Sequence, residues 1–557
     1  MFLKLKLDKC FSVLAVSVFT LLFHAANAQV QNVYWIQFNS KSSNLFLPKE
    51  SFLSPKAIER RQKQNIEIVE NDYPVYAPYK QAVAQVADSI IHTLKWFNAI
   101  TIVLSDTNKM PQIRNMSFVK KIQKLDVYPV AEKKENSKLD FSLKAIEETE
   151  VRTEYGESFN QTEMLHLDRL HSMGYRGKDM FIAVLDNGFV NVDTIKGFQQ
   201  LFSESRVVYK HNYVNRNDSV FGSGTHGTSV LSCIAGNLPN VFVGTATQAT
   251  FALFITENNQ SETILEEYNW AEAAEKADSL GVDITTTSLG YNNFDGGFAS
   301  HTYFDMTGSK AVMTQAANIA FSKGILVVNS AGNEGTNSWK FITAPADGKD
   351  VLTIGAVDKN GKIANFSSRG PNASGAIKPD VCAQGANVAV LDFRGLPFLS
   401  NGTSFSGPII AGAAACLWQS DSTLSAAELK KIIIESSNYY TNPNNDYGYG
   451  IPNFYKAWLS TTTKKALVNS EVISTVFPNP FSRYCTLFIK TSQKGEAGIS
   501  IADISGKVVF KTAIPVFEND VQLLEIKESE LLSAGSYYLK IEVNGSKKTH
   551  RIIKTDL

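Results

Sequence analysis

Asn401-Gly402-Thr403-Ser404-Phe405-Ser406-Gly407-Pro408, followed by Ile409-Ile410-Ala411-Gly412-Ala413-Ala414-Ala415-Cys416-Leu417-Trp418, is the stretch on which the reading of the fold turns. It reads as a tight turn feeding a helix that is apolar on every face. Gly402 permits a backbone that a side chain blocks. Pro408 is tolerated near a helix start, where its missing N–H is not needed. A helix apolar all round, with small residues at 407 and 411–415, belongs in the middle of a large core. The run is too short to span a bilayer. One hydroxyl, Ser404, therefore sits at the N-terminal end of a buried helix, where unpaired backbone N–H groups favour negative charge. The stretch alone leaves two readings level: Ser404 caps the helix, or Ser404 is a nucleophile.

Working outward, the chain from Tyr155 alternates short apolar strands with helices. Phe181 to Leu185 is an apolar run ending at Asp186-Asn187-Gly188. His226-Gly227-Thr228 opens a small-residue helix to Ala235. Strands are expected at Phe251–Ile255, Ile284–Leu289, Ile325–Asn329 and Val351–Val357. Helices are expected at Glu262–Leu280 and Ala311–Ser322. The pattern predicts an α/β fold, a mostly parallel sheet with helices on both faces.

Two other textures flank this unit. Residues 29–130 read as a small α+β unit. Strands are expected at Val33–Phe38, Ile100–Leu104 and Val127–Val130. Helices are expected after the Ser54-Pro55 start signal and over Gln81–Leu94. Arg60, Arg61 and Lys63 on the first helix read as a solvated face. Residues 131–154 are charged and poor in apolar residues, a linker open to nicking. Beyond about 465 come strand-like runs at Thr486–Lys490, Ile499–Ile504, Lys507–Phe510, Val521–Ile526, Ser536–Val543 and His550–Lys554. Ser505-Gly506 and Asn544-Gly545 supply hairpin turns, which predicts a small β-sandwich. The domain boundaries follow: 1–28, 29–150, 151–465 and 466–557.

Composition bounds the function. The chain has 557 residues, with Lys+Arg and Asp+Glu both at 54, and this balance argues against nucleic acid as the main partner. Lys4, Lys6 and Lys9, the apolar run Phe11–Phe23 and Ala26-Asn27-Ala28 read as a secretory signal cleaved after Ala28. Four cysteines follow it, Cys233, Cys382, Cys416 and Cys485. They are widely spaced, with no close pair to suggest zinc and nothing that proves a disulfide; for Cys233 and Cys416, in apolar helical stretches, buried free thiols are the default reading.

A nucleophilic serine needs a base, a carboxylate to orient the base, and donors for the oxyanion. Of eight histidines, only His226 lies in a Gly-rich turn, Gly222-Ser223-Gly224-Thr225-His226-Gly227-Thr228, at the head of a small-residue helix. Asp186 closes an apolar strand, at the end where parallel sheets bind ligands. An ordinary Asx turn gives the same local pattern. Asn333, in Ala331-Gly332-Asn333-Glu334-Gly335 after a buried strand, can offer its amide to an oxyanion, or can simply be a turn residue.

Taken together, Val184-Leu185-Asp186-Asn187-Gly188, His226-Gly227-Thr228, Ala331-Gly332-Asn333-Glu334-Gly335 and Gly402-Thr403-Ser404-Phe405-Ser406-Gly407-Pro408 resemble the subtilisin-like serine peptidases. The order Asp…His…Ser matches. The resemblance covers roughly 155–460 and includes Ser288-Leu289-Gly290 and Gly448-Tyr449-Gly450-Ile451-Pro452-Asn453. It implies that Asp186 orients, His226 is general base and acid, Ser404 attacks and Asn333 stabilises the oxyanion. It also implies that Ser288, Leu289, Gly290 and Gly332 bind the extended substrate, and that Glu334 lies near the pocket for the P1 side chain. The sequence departs from the family at Asn187, where Ser or Thr is usual, and at Phe405-Ser406, where Met-Ala is common.

Residues 29–150 then resemble a subtilase propeptide, an inhibitor and folding aid, cut near Glu147–Glu154. Residues 466–557 resemble the C-terminal sorting domain of Bacteroidetes type IX secretion cargo. The carriers are Phe477-Pro478-Asn479-Pro480-Phe481, Ile501-Ala502-Asp503-Ile504-Ser505-Gly506-Lys507 and Leu532-Ser533-Ala534-Gly535-Ser536-Tyr537-Tyr538. The implied protein is a monomeric secreted endopeptidase, made as a proenzyme. It passes through the periplasm to the medium or the outer-membrane surface, with protein or peptide substrates and the type IX machinery as partners. No cofactor is expected. The resemblance allows structural calcium, but Asp295 and Asp305 in the loop Tyr291–Lys310 have no cage-like spacing, and no metal ligands are assigned. A non-catalytic surface adhesin on the same scaffold is the alternative. An esterase would carry Gly-x-Ser-x-Gly and the order Ser…Asp…His.

Overall fold

The computed structural model describes residues 31–127, 154–295, 300–466, 472–477, 479–481, 484–518, 521–527 and 533–555. The signal segment expected over 1–28 lies outside them, as do nearly all of the charged linker and the cut expected near Glu147–Glu154.

The apolar runs of the middle unit form one seven-stranded sheet. Its order is Val381–Gln384, Leu352–Val357, Leu326–Ser330, Ile284–Thr287, Phe181–Asp186, Thr250–Ile255 and Val207–Asn212. Every neighbouring pair is parallel. Strands covered on both faces read as continuous apolar runs, because alternate side chains enter different cores. Ile182 and Val184 point into one core with the helices His226–Ala235 and Thr403–Ser420. Phe181, Ala183 and Leu185 point into the other, with Leu265–Leu280 and Val312–Ser322. The α/β expectation holds.

The helix Thr403–Ser420 is buried from Thr403 through Trp418. Pro408 lies inside it, in the second turn rather than at its start. There it withholds the N–H that the carbonyl of Ser404 would accept. The Ser288 hydroxyl fills that place, donating to Ser404 O at 2.7 Å.

The first unit is a four-stranded antiparallel sheet, ordered Ser89–Leu94, Ala99–Val103, Gln31–Phe38 and Val119–Val127. The helix expected over Gln81–Leu94 is corrected. It spans Ala77–Ala84, and Ser89–Leu94 is a strand. Branched Ile90, Ile91 and Thr93 favour the extended chain. One sheet face, with Tyr34, Ile36 and Ile102, packs on the unit's own helices. The other face, with Val33, Trp35, Leu94 and Trp96, shares a core with Tyr268 and Trp270 of Leu265–Leu280.

The solvated basic face expected at Arg60 and Arg61 is also corrected. Both side chains are buried, and only Lys63 of the three points outward. Ser54 caps their helix, Pro55–Lys63, accepting from Ala57 N at 3.1 Å. Arg60 Nη2 and Arg61 Nη2 reach Asp278 Oδ1 at 2.6 and 2.8 Å, and Lys95 Nζ reaches Oδ2 at 3.1 Å. In return Asp72 of the first unit takes Lys323 at 3.0 Å and Arg61 at 2.9 Å. A buried charge needs a partner, and Asp278 lies 218 and 217 residues from Arg60 and Arg61, beyond the reach of local pattern.

The last unit has two antiparallel sheets around one core. One contains Val472–Phe477, Tyr484–Thr491 and Val521–Lys527. The other contains Val508–Val516, Gly495–Asp503, Gly535–Val543 and Ser546–Lys554. Asn544 and Gly545 both have positive φ, 47° and 85°, as a two-residue hairpin turn requires. Val472–Phe477 was not expected from the sequence. The sandwich docks on the middle unit through Arg169. Its guanidinium lies 4.0 Å from the Tyr484 ring centroid and donates to Glu525 at 3.0 Å. All four cysteines after the signal are free and buried, as expected for Cys233 and Cys416.

Candidate active site

Asp186 ends the strand Phe181–Asp186 and is fully buried. His226 opens the helix His226–Ala235. The loops that carry them interlock. Val190 N donates to Gly224 O at 3.0 Å and Phe189 N to Val220 O at 2.9 Å. A Cβ on Gly224 would lie 2.4 Å from Asn187 O, and one on Gly188 2.0 Å from Ser223 O. Both glycines have positive φ, so the Gly-rich turn is what lets the two loops touch. The contact brings His226 Nδ1 to 2.7 Å from Asp186 Oδ1, which also accepts from Asn187 N at 2.8 Å. An acceptor at Nδ1 places the ring proton there and leaves Nε2 as the basic nitrogen.

Ser404 is the second residue of its helix. Its Oγ donates to Ser288 O at 3.3 Å, the reciprocal of the Ser288 bond to its own carbonyl. The nucleophile candidate is thus tied at two points to the Ser288-Leu289-Gly290 edge. Asn333 follows the end of the strand Leu326–Ser330. Its Oδ1 accepts from Thr403 N at 2.9 Å and Thr403 Oγ1 at 3.0 Å. With Oδ1 occupied, Nδ2 is left near Gly402: a Cβ placed on Gly402 would be 3.6 Å from Asn333 Nδ2 and 3.6 Å from Ser404 Cβ.

Ser404, Asn333, Gly332, Ser288, Leu289 and Gly290 line one cavity of about 650 Å³. The structure thus brings six of the eight sequence candidates to one cavity wall. Asp186 and His226 form a separate buried pair, whose His226 ring centroid lies 6.0 Å from that of Phe405, the neighbour of Ser404. Glu334 lines the cavity too. The cavity wall offers a hydroxyl and an amide, and the buried pair offers an imidazole oriented by a carboxylate.

The two departures also find places. Asn187 Nδ2 donates to Asn259 Oδ1 at 2.9 Å, bracing the Asp186 loop. Phe405 is buried with its ring centroid 6.0 Å from that of His226. Sequence reasoning missed Thr403, whose place beside Ser404 was the available signal. It also missed Thr343, His301, Glu257 and Glu262, which line the cavity from distant loops and carry no local signal.

Asp295 and Asp305 do not fit a calcium cage. Asp295 Oδ2 accepts from Glu262 N at 2.8 Å. Asp305 caps a turn through Thr302 N at 2.7 Å and pairs with Lys310. A different acidic group, Glu257, Glu262 and Glu266, gathers carboxylate oxygens within 4.8 Å of one another.

Comparison with known proteins bears on the family and the fold. Residues 177–450 match the family model described as Subtilase family. Residues 33–140 match the peptidase S8 propeptide domain of Bacteroidota, and residues 475–555 the secretion system C-terminal sorting domain. Subtilisin E of Bacillus subtilis (strain 168) is 28% identical over 326 residues, 58% of this chain and 76% of its own. Bacillopeptidase F of the same organism is 26% identical over 345 residues, but the match spans only 23% of its length. The crystal structure of an epidermin leader peptide processing serine protease from Staphylococcus aureus superposes with a TM-score of 0.51 at 14% identity. That match covers 79% of this chain and 100% of the other. Among the described residues no helix is long and apolar enough to cross a membrane.

Proposed function

Since residues 177–450 are a subtilase-family serine peptidase domain, preceded by a propeptide domain and followed by a secretion sorting domain, we propose that this chain is the precursor of a secreted endopeptidase. Asp186, His226, Ser404 and Asn333 carry its chemistry. The observation that supports this most directly is the buried 2.7 Å contact between Asp186 and His226, with the ring of Phe405, the residue after Ser404, 6.0 Å from that of His226.

In this mechanism an extended peptide pairs along Ser288-Leu289-Gly290. Ser404 Oγ turns from Ser288 O, attacks the scissile carbonyl carbon, and passes its proton to His226 Nε2. Asp186 holds Nδ1–H and stabilises the imidazolium. The oxyanion takes hydrogen bonds from Asn333 Nδ2 and the Ser404 N–H. The C–N bond then breaks and His226 protonates the leaving amine. Water, deprotonated by His226, hydrolyses the ester and restores Ser404. The first unit, docked through buried ion pairs, acts as the inhibitor until the linker is cut. The sorting domain directs export to the medium or the outer-membrane surface.

A serine-directed fluorophosphonate tests the reading. The processed wild-type chain labels and a Ser404→Ala variant does not. No label on the wild type, or equal label on both, overturns it. His226→Ala should retain only a residual ~10³-fold rate over water.

A further inference from the structure

The cleft carries charge that the chemistry above does not use. Glu257 and Glu262 line the same cavity as Ser404 and Asn333. Their carboxylate oxygens, with one of Glu266, lie within 4.8 Å of one another, and all three residues are buried. The Tyr291 hydroxyl donates to Glu257, and the Glu262 N–H donates to Asp295, so the wall is held in place. His301, on the same cavity, is held by Glu267 at 2.5 Å. Carboxylates this close repel one another in a low-dielectric cleft, and an arriving cation relieves the repulsion.

A second observation is independent of these acids. Thr343 lines the cavity and is only 2% exposed, yet its Oγ1 has no hydrogen-bond partner among the described residues. It lies between the two walls. A Cβ on Gly290 would come within 2.2 Å of that oxygen, and one on Gly332 within 3.3 Å. The two glycines make room for the hydroxyl in the cavity wall. A buried hydroxyl without a partner is costly and is expected to be satisfied by whatever fills the space. An aliphatic side chain offers nothing to it, and an acidic one meets the carboxylates. A guanidinium or ammonium brings both charge and several N–H donors.

We propose that the cleft selects peptides carrying Arg or Lys in the segment that pairs with Ser288-Leu289-Gly290. Glu257 and Glu262 recognise the charge and Thr343 accepts a hydrogen bond. This deepens the peptidase reading and depends on it.

The test uses the processed enzyme and peptides in which one arginine is moved through the residues flanking the scissile bond. Each peptide has a twin with citrulline, which keeps the shape and loses the charge. A hydrogen-bonded charge in such a site corresponds to a roughly 10- to 100-fold preference. The expected result is an Arg-over-citrulline ratio in kcat/KM of that size at one position or more. The ratio should fall below about threefold in Glu262→Gln or Glu257→Gln, and by roughly 2- to 12-fold in Thr343→Val. Fluorophosphonate titration counts folded sites in each variant, so misfolding does not imitate lost selectivity. Equal rates for Arg and citrulline at every position overturn the proposal. So does a wild-type ratio retained in both glutamine variants. A ratio that disappears when Ca²⁺ is added also overturns it, because the carboxylates would then be holding metal. Failure of the wild type to label at all counts against the peptidase reading itself.

Discussion

Asp278→Asn should loosen the propeptide from the peptidase domain without touching the cleft. The Asp278 carboxylate accepts from Arg60 at 2.6 Å, from Arg61 at 2.8 and 2.9 Å, and from Lys95 at 3.1 Å. Burial pushes its pKa up, but the charges of Lys95, Arg60 and Arg61 outweigh burial and hold it well below the usual carboxylate range. Its contribution is therefore present above pH ~3.8 and lost only as pH falls through the lower, folded-state value. Asparagine keeps the shape and takes the anion from buried Arg60 and partly buried Lys95, while Arg61 keeps Asp72 at 2.9 Å. Breaking a buried pair on one side costs ~3–5 kcal/mol, or roughly 150- to 4,000-fold in the opening equilibrium. The assay is hydrogen exchange in the full-length Ser404→Ala chain, where self-processing cannot remove the propeptide. Amides of Pro55–Lys63 should exchange faster by that factor, while those of Thr403–Ser420 should hardly change. Because the ion pairs are buried, 0.5 M salt should not reproduce the effect. Exchange within threefold of the parent, or acceleration of the parent by salt alone, refutes the reasoning and restores the picture of a solvated basic face.

Thr403→Val removes one of the two bonds that orient the Asn333 amide; steady-state kinetics should show kcat lower by roughly 2- to 12-fold with KM little changed, and a pure KM effect argues against the oxyanion role. Arg169→Ala should destabilise docking of the sorting domain by about 1–3 kcal/mol, through lost stacking on Tyr484 and lost bonds to Thr486 and Glu525. Thermal unfolding and limited proteolysis near residue 470 check it, and unaltered profiles count against the interface. Burial pushes the His301 pKa down, but the hydrogen bond and charge of Glu267 outweigh it and raise the value above 6.5. Its stabilising effect is fully present below that pH and fades as pH rises through the higher folded-state value. An NMR titration of His301 with a midpoint at or below 6.5 rejects this.

The sequence by itself determined the α/β class and five of the seven strands of the central sheet, and its resemblance to the subtilases picked out the four segments of the candidate site. Those readings rest on local chemistry. Apolar runs mark doubly covered strands, Asn544-Gly545 marks a hairpin, and a serine before a small-residue helix marks a buried N-terminus. Tertiary structure decided what each polar group faces. Arg60 and Arg61 have the sequence texture of a surface and the environment of a core, because Asp278 lies more than two hundred residues away. Pro408 could sit in the second turn because Ser288, on another strand end, supplied the missing donor. Gln81–Leu94 divided into helix and strand because the sheet needed an edge there. Thr343, Glu257 and Glu262 are unremarkable in the linear chain and become cleft residues only when three loops converge. A pattern of spacing reports which face of its own element a residue occupies. Which partner waits on that face depends on contacts across the chain, and those decide whether a charge is solvated, paired or poised for a substrate.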